Sequence, residues 1–320
     1  MKQKDKKDSL KKRKADHINL ALESRISKEL IDDRFYYEPF LSALPTENPW
    51  QPISFAGKQL KYPVWVSSMT GGTKEAGKIN KNLARMCGEF GFGMGLGSCR
   101  ILLESDRRFA DFDLRKYIGN EYPFYANLGI AQVEQMLKDK STDKIVELVD
   151  NLQADGLIVH VNPLQEFFQP EGDHIQNRPI DIIAELIDLT KLKIIVKEVG
   201  QGFGPESIRA LMKLPIQTIE YAASGGTNFA LMEMKRSGDL SNEIWAKVGH
   251  SSFEMNDMVN KALDEGTAEG RCTEFIISGG ISHSLDGYYL VEKNRGTAVF
   301  GQASSFLNPA RESLESTRAY

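Results

Sequence analysis

His160 and Asn162 stand two residues apart in the run Leu157-Ile158-Val159-His160-Val161-Asn162, and Gln165 and Glu166 follow just beyond. Side chains alternate along a strand, so His160 and Asn162 would point to one face of it. One carboxylate completed by substrate phosphates and water is a typical magnesium arrangement, which makes Glu166 a candidate ligand. Zinc is disfavoured because no second histidine or cysteine stands at ligand spacing. For His160 alone, a structural histidine satisfied within the fold is the competing account. His174, His250 and His283 form no usable pattern.

Lys197 ends a second apolar run, Ile194-Ile195-Val196-Lys197. An ammonium group in the interior demands a partner. Glu198 would face the opposite side of a continuing strand and is a poor one. A ligand with anionic or carbonyl oxygens fits better, with a Schiff-base lysine or a side chain reaching solvent as alternatives. Gly279-Gly280 and Gly301-Gln302-Ala303 supply turns in which backbone N–H groups can approach an anion, aided by a following helix N-terminus. No Walker-type loop is present, and Ser98 interrupts any G-x-G-x-x-G within Gly91, Gly93, Gly95 and Gly97. Those alternating glycines strip one face of a strand, where a flat ring or another backbone can come close, or where packing alone requires it.

Groups this far apart in sequence need a scaffold that gathers them. Eight apolar runs recur along the chain: Val64 to Ser68, Phe92 to Leu96, Phe124 to Leu128, Leu157 to Val161, Ile194 to Val199, Thr218 to Ala222, Phe275 to Ser278 and Ala298 to Phe300. They are continuous rather than alternating, as in parallel strands covered on both faces. Between them lie stretches of helical periodicity such as Lys74–Glu89, Thr142–Gln153, Ile180–Leu189 and Pro205–Met212, the second with Thr142 or Ser141 as N-cap. The pattern predicts an α/β protein, a (β/α)8 TIM barrel, with a doubly wound open sheet as competitor. Residues 228–270 call for extra helices or an excursion, and residues 31–60 are poorly patterned. Polar or glycine-rich chemistry follows all eight runs, on the face where barrels build their sites.

The composition narrows the class. The 320 residues are 41% hydrophobic and 26% charged, with a net charge of −4. Eight basic and two acidic residues crowd positions 1–14, so a basic arm precedes an acidic body that offers no global field for nucleic acid. Cys87, Cys99 and Cys272 make neither an even disulfide framework nor a C-x-x-C metal site, which predicts a reducing, cytoplasmic setting. No run approaches 18 apolar residues and the lysine-rich start meets Asp16, His17 and Asn19, so neither membrane span nor secretory signal is expected.

From Arg13 to about Leu307 the chain resembles the type 2 isopentenyl diphosphate isomerases. The likeness rests on Arg13-Lys14-Ala15-Asp16-His17, Ser67-Ser68-Met69-Thr70-Gly71-Gly72, Gly97-Ser98-Cys99-Arg100, and above all His160-x-Asn162-x-x-Gln165-Glu166 followed by Gln169-Pro170-Glu171-Gly172-Asp173. Lys197-Glu198-Val199-Gly200, Gly225-Gly226-Thr227 and Ser278-Gly279-Gly280-Ile281 continue it in order. The resemblance implies a single FMN-dependent barrel over residues 13–320 behind a disordered basic tail at 1–12. It implies that Ser68, Met69, Thr70, Ser98, Asn127, Lys197, Thr227, Gly279, Gly280, Gln302 and Ala303 hold FMN. Arg13, Lys14, Ser98, Arg100 and Gln165 would bind the substrate, with Gln165, His160 and Asn162 as catalytic residues and Glu166 on Mg2+. The implied reaction converts isopentenyl to dimethylallyl diphosphate on flavin reduced by NADPH or NADH, in a homo-oligomer, tetramer or octamer.

The sequence departs from that pattern in places. Asn228-Phe229 stands where a tryptophan region is usual, Ala222 replaces a common serine, and Ser282-His283-Ser284-Leu285-Asp286 replaces a segment that normally begins with arginine, all near the implied flavin phosphate. Another FMN barrel, an oxidoreductase acting on a small anion, is the alternative, but it has no need of the His160 to Glu166 motif. A non-enzymatic barrel whose basic arm tethers it to RNA or a membrane surface is the third reading.

Overall fold

The apolar runs are strands, and they close into a ring. In the computed structural model, which describes residues 2–41, 43, 51–267 and 271–320, the chain divides into two units, Met1–Glu47 and Asn48–Tyr320. The first unit begins with a helix, Lys2–Leu20, that runs through both the basic stretch and Arg13-Lys14. Farther along, Arg34 makes a paired contact with Asp32. The site geometry below is that of the second unit alone.

That second unit is a closed barrel of eight parallel strands: β1 Val64–Val66, β2 Gly93–Gly95, β3 Phe124–Gly129, β4 Gly156–His160, β5 Ile194–Lys197, β6 Thr218–Glu220, β7 Glu274–Ser278 and β8 Thr297–Gln302. Each pairs with the next, and β8 closes on β1 with Gly301 opposite Trp65. Helices Lys74–Phe90, Pro179–Thr190 and Pro205–Met212 fall where the periodicity places them. Thr142 does stand at the N-cap of Asp143–Asn151, but its backbone is already helical and its side chain makes no capping bond. The long stretch after β6 holds two helices, Phe229–Ser237 and Ser252–Asp264, the latter started by a full Ser251/Glu254 capping box.

Alternation along the strands sorts the barrel interior into layers. Trp65, Tyr125, Ile158, Ile195, Ile276 and Val299 fill the middle, and an antiparallel ribbon of Ile53–Phe55 and Lys58–Leu60 drives Phe55 and Leu60 against them from below. Burial of each such side chain contributes roughly 1.5–3 kcal/mol. The glycine series fits this packing: a Cβ at Gly93 would strike the Trp65 ring at 2.3 Å, and one at Gly97 the Thr70 backbone at 2.5 Å.

The N-terminal end of β3 and β4 is tied by charge. Asp155 takes Lys58 Nζ at 2.6 Å on one oxygen, and Arg115 Nη2 and the Phe124 N–H, both at 2.9 Å, on the other. Burial by itself would raise the Asp155 pKa, but these donors hold it below the ordinary value. Asp155→Ala would leave buried Arg115 without its counter-charge and is expected to cost about 3–5 kcal/mol, measurable by urea denaturation. An unchanged midpoint would refute this role.

Candidate active site

Two residues beyond the apolar layer, the same alternation delivers a polar one. Ser67, Gly95, Asn127, His160, Lys197, Glu220, Ser278 and Gly301 each follow an interior residue of their strand by two positions. This layer is the floor of the C-terminal mouth. Ser67, Asn127, Lys197, Glu220 and Ser278 are buried polar side chains, a costly arrangement unless something satisfies them.

Over one half of the floor lies a cavity of about 150 Å3 lined by Ser67, Ser68, Lys197, Glu220, Ala222, Gly225, Gly226, Thr227, Ser278, Gly279, Gly280, Gln302 and Ala303, among others. Seven of the residues assigned to FMN by resemblance, Ser68, Lys197, Thr227, Gly279, Gly280, Gln302 and Ala303, therefore share one wall. Glycine is required here: Gly225 and Gly279 have φ of +104° and +94°, and a Cβ on Gly279 would come within 2.1 Å of the Ala223 carbonyl oxygen. Ala222 also adopts a positive φ of 43°, which lets its N–H donate to Ser278 Oγ at 2.9 Å. Lys197 Nζ donates to the Glu198 carbonyl at 2.8 Å. The Glu198 carboxylate sits on the far side of β5, accepting from the Gly200, Gln201 and Gly202 N–H groups, as strand alternation requires.

The other half of the mouth holds two hydrogen-bonded groups. Asn127 Nδ2 donates to Ser68 Oγ and to the Leu96 carbonyl, both at 2.9 Å, so its Oδ1 must accept from His160 Nδ1 at 2.7 Å. His160 thus carries its proton on Nδ1 and leaves Nε2 as an acceptor. Asn162 Nδ2 forks to Gln165 Oε1 at 3.0 Å and Glu166 Oε1 at 2.9 Å, while its own Oδ1 is buried without a partner. Glu166 Oε2 accepts the Asp173 N–H at 2.8 Å. Asp173 in turn accepts from Arg100 at 2.9 Å and Gln132 at 3.0 Å, which brings Arg100 to this group.

Four of the FMN candidates stand apart from the cavity wall, Asn127 among them. Met69 packs against the main core, the Thr70 carbonyl accepts from Asn80, and Ser98 Oγ accepts the Arg100 N–H at 3.4 Å. Arg13 and Lys14 belong to the first unit. Sequence reading missed Ser67, Glu220 and Ser278 as floor residues and Gln132 as a partner of Asp173. The two-residue step from Trp65 and Ile276 would have found Ser67 and Ser278; Glu220 follows the polar Thr218 and escapes it.

Burial first, and the charge of Lys197 second, push the His160 pKa down from 6.5 to about 3. The unfolded chain binds this proton between those values and the native state does not, so stability falls as pH drops below 6.5 and is fully retained above it. The limb has a slope of at most about 1.4 kcal/mol per pH unit. His160→Gln is expected to flatten it in denaturation curves taken from pH 7 to pH 4; an unaltered slope would refute the neutral histidine.

No family model matches the chain. It is 33% identical over 303 residues, 93% of this chain and 85% of the relative, to an isopentenyl-diphosphate delta-isomerase of Rickettsia felis. To the enzyme of the same name from Rickettsia typhi it is 32% identical over 308 residues, with the same coverage. Among solved structures, a mandelate oxidase variant with a monooxide FMN adduct matches with a TM-score of 0.53 at 12% identity, over 84% of this chain and 73% of that one, a likeness of fold. With relatives this similar over nearly its whole length, the chain belongs to the type 2 isopentenyl-diphosphate delta-isomerase family.

Proposed function

We propose that the protein converts isopentenyl diphosphate to dimethylallyl diphosphate, with FMN in the cavity over β5 to β8 and Mg2+ on the diphosphate beside Glu166. The observation that carries this reading is the presence of two unlike half-sites on neighbouring strand ends, with Asn127 joining Ser68 of the cavity wall to His160. One half offers a buried cation, a glycine cradle and unpartnered floor atoms, Ser67 Oγ and Glu220 Oε2. These fit a flat polar ring with a phosphate arm. The other offers a carboxylate held between Asn162 and the Asp173 N–H, next to Arg100. One or two carboxylates plus substrate phosphates is the donor set magnesium accepts.

When bound, reduced FMN supplies the acid and base for moving the double bond. The chain's residues do the rest. Asn162 holds Gln165 and Glu166 in register through one amide. Gln165 has no titrating proton and orients rather than transfers. A diphosphate oxygen near His160 Nε2 favours a proton on that nitrogen and so offsets the burial that keeps the ring neutral. Arg13, Lys14 and Arg100 would neutralise a substrate that an acidic body repels, and binding its charged end helps to hold the small apolar tail. NADPH or NADH as reductant, a homo-oligomer and a cytoplasmic setting belong to the same reading. Among the described residues no helix is long and apolar enough to cross a membrane.

Turnover in deuterated water with reduced FMN and Mg2+ tests the reading directly. Dimethylallyl diphosphate should form with deuterium incorporated. A preparation that oxidises a small hydroxy acid and leaves isopentenyl diphosphate unchanged would assign the barrel to another reaction.

A further inference from the structure

Glu220 is fully buried in the polar floor, lines the cavity and is the register partner of Lys197 on the neighbouring strand. Its carboxylate is held at one oxygen only. The Ala222 N–H donates to Ser278 Oγ, and that hydroxyl donates onward to Glu220 Oε1 at 3.2 Å. Oε2 is closed off from solvent and has no partner. An unpaired carboxylate oxygen in the interior is strongly disfavoured, and the adjacent cation does not relieve it, because Lys197 Nζ is turned to the Glu198 carbonyl. An unpaired acceptor and a cation side by side, unjoined, leave their charges to act on what occupies the cavity above them.

The same carboxylate gives the cavity a direction. A phosphate is repelled by it, so a phosphate end would sit at the glycine loops around Gly225 and Gly280, away from Glu220. We propose that Glu220 acts on the cofactor through the field of the floor: Glu220 with Lys197 forms a fixed pair of opposite charges beneath the cavity that sets the electron affinity of the bound ring. The inference rests on the flavin reading above. Reduction adds negative charge to the ring, which a neighbouring anion opposes and a neighbouring cation favours.

The test is the midpoint potential of FMN bound to the full-length protein, measured by equilibration with a reference dye. Glu220→Gln keeps an acceptor for Ser278 and removes the charge. It should shift the potential to more positive values by at least tenfold in the reduction equilibrium, about 30 mV for a two-electron couple. Ser278→Ala keeps the charge and removes its hydroxyl donor, so it should shift the potential the other way. This second variant carries the test if the first does not fold. A merely structural Glu220 would leave both potentials at the wild-type value, and that result overturns the proposal while the flavin reading stands. Failure of the wild-type protein to bind FMN would overturn the flavin reading and this inference with it.

Discussion

Glu166→Gln is expected to lower kcat/KM for isopentenyl diphosphate by about 10^3-fold, equivalent to about 4 kcal/mol, while FMN content stays at the wild-type level. Two effects combine. The substitution removes the charge that would draw Mg2+ to the diphosphate. It also breaks a pattern of acceptors, because Glu166 takes hydrogen bonds on both oxygens, from Asn162 Nδ2 and from the Asp173 N–H, and a glutamine amide nitrogen must then face one of those donors. Asn162 would be left with a poorer hold on Gln165, so the damage spreads to the residue that orients the substrate. Kinetics at rising Mg2+ concentration check the assignment. A variant with wild-type kcat/KM, or one whose loss is indifferent to magnesium, would remove Glu166 from the metal role.

The barrel was legible in the sequence because eight continuous apolar runs leave few alternatives once helices must cover both faces of the sheet. The His160 to Glu166 motif was legible only in part: β4 ends at His160, and Asn162, expected on the same strand face, is instead the N-cap of the short helix Pro163–Phe168, whose Gln165 and Glu166 its amide reaches. What could not be read was which polar atoms the fold leaves unpaired. Glu220 looks like an ordinary acidic residue at a strand end; only the closure of the barrel puts it in the floor next to Lys197. Asp173 likewise stood in a recognisable motif without a role until the loop folded back to place it between Arg100 and Gln132. The alternating glycines admitted a close ring or backbone, or packing alone, and the neighbours that meet them belong to the fold's own packing, the Trp65 side chain at Gly93 and the Thr70 backbone at Gly97.

Gly279→Ala should abolish FMN binding at micromolar cofactor and destabilise the fold by about 2–4 kcal/mol, and the comparison with Gly238→Ala shows why. Both glycines have positive φ, 94° and 78°, so alanine pays a similar backbone penalty of about 1–2 kcal/mol at either. At Gly238, the C-cap of helix Phe229–Ser237, a new methyl group meets nothing within 4 Å. At Gly279 it meets the oxygen, nitrogen and carbonyl carbon of Ala223 at 2.1, 2.4 and 2.6 Å. Those are backbone atoms of the loop after β6, which cannot swing aside like a side chain, so the β6 and β7 loops must separate. Their separation also moves Ala222, whose strained φ and bond to Ser278 depend on the same approach, and with it the hydroxyl that steadies Glu220. Thermal denaturation and FMN fluorescence titration of the two variants divide backbone strain from loss of the cradle: Gly238→Ala should lose stability alone, Gly279→Ala stability and cofactor together. Wild-type FMN affinity in Gly279→Ala would mean that the glycine loops do not form the phosphate end of the cavity.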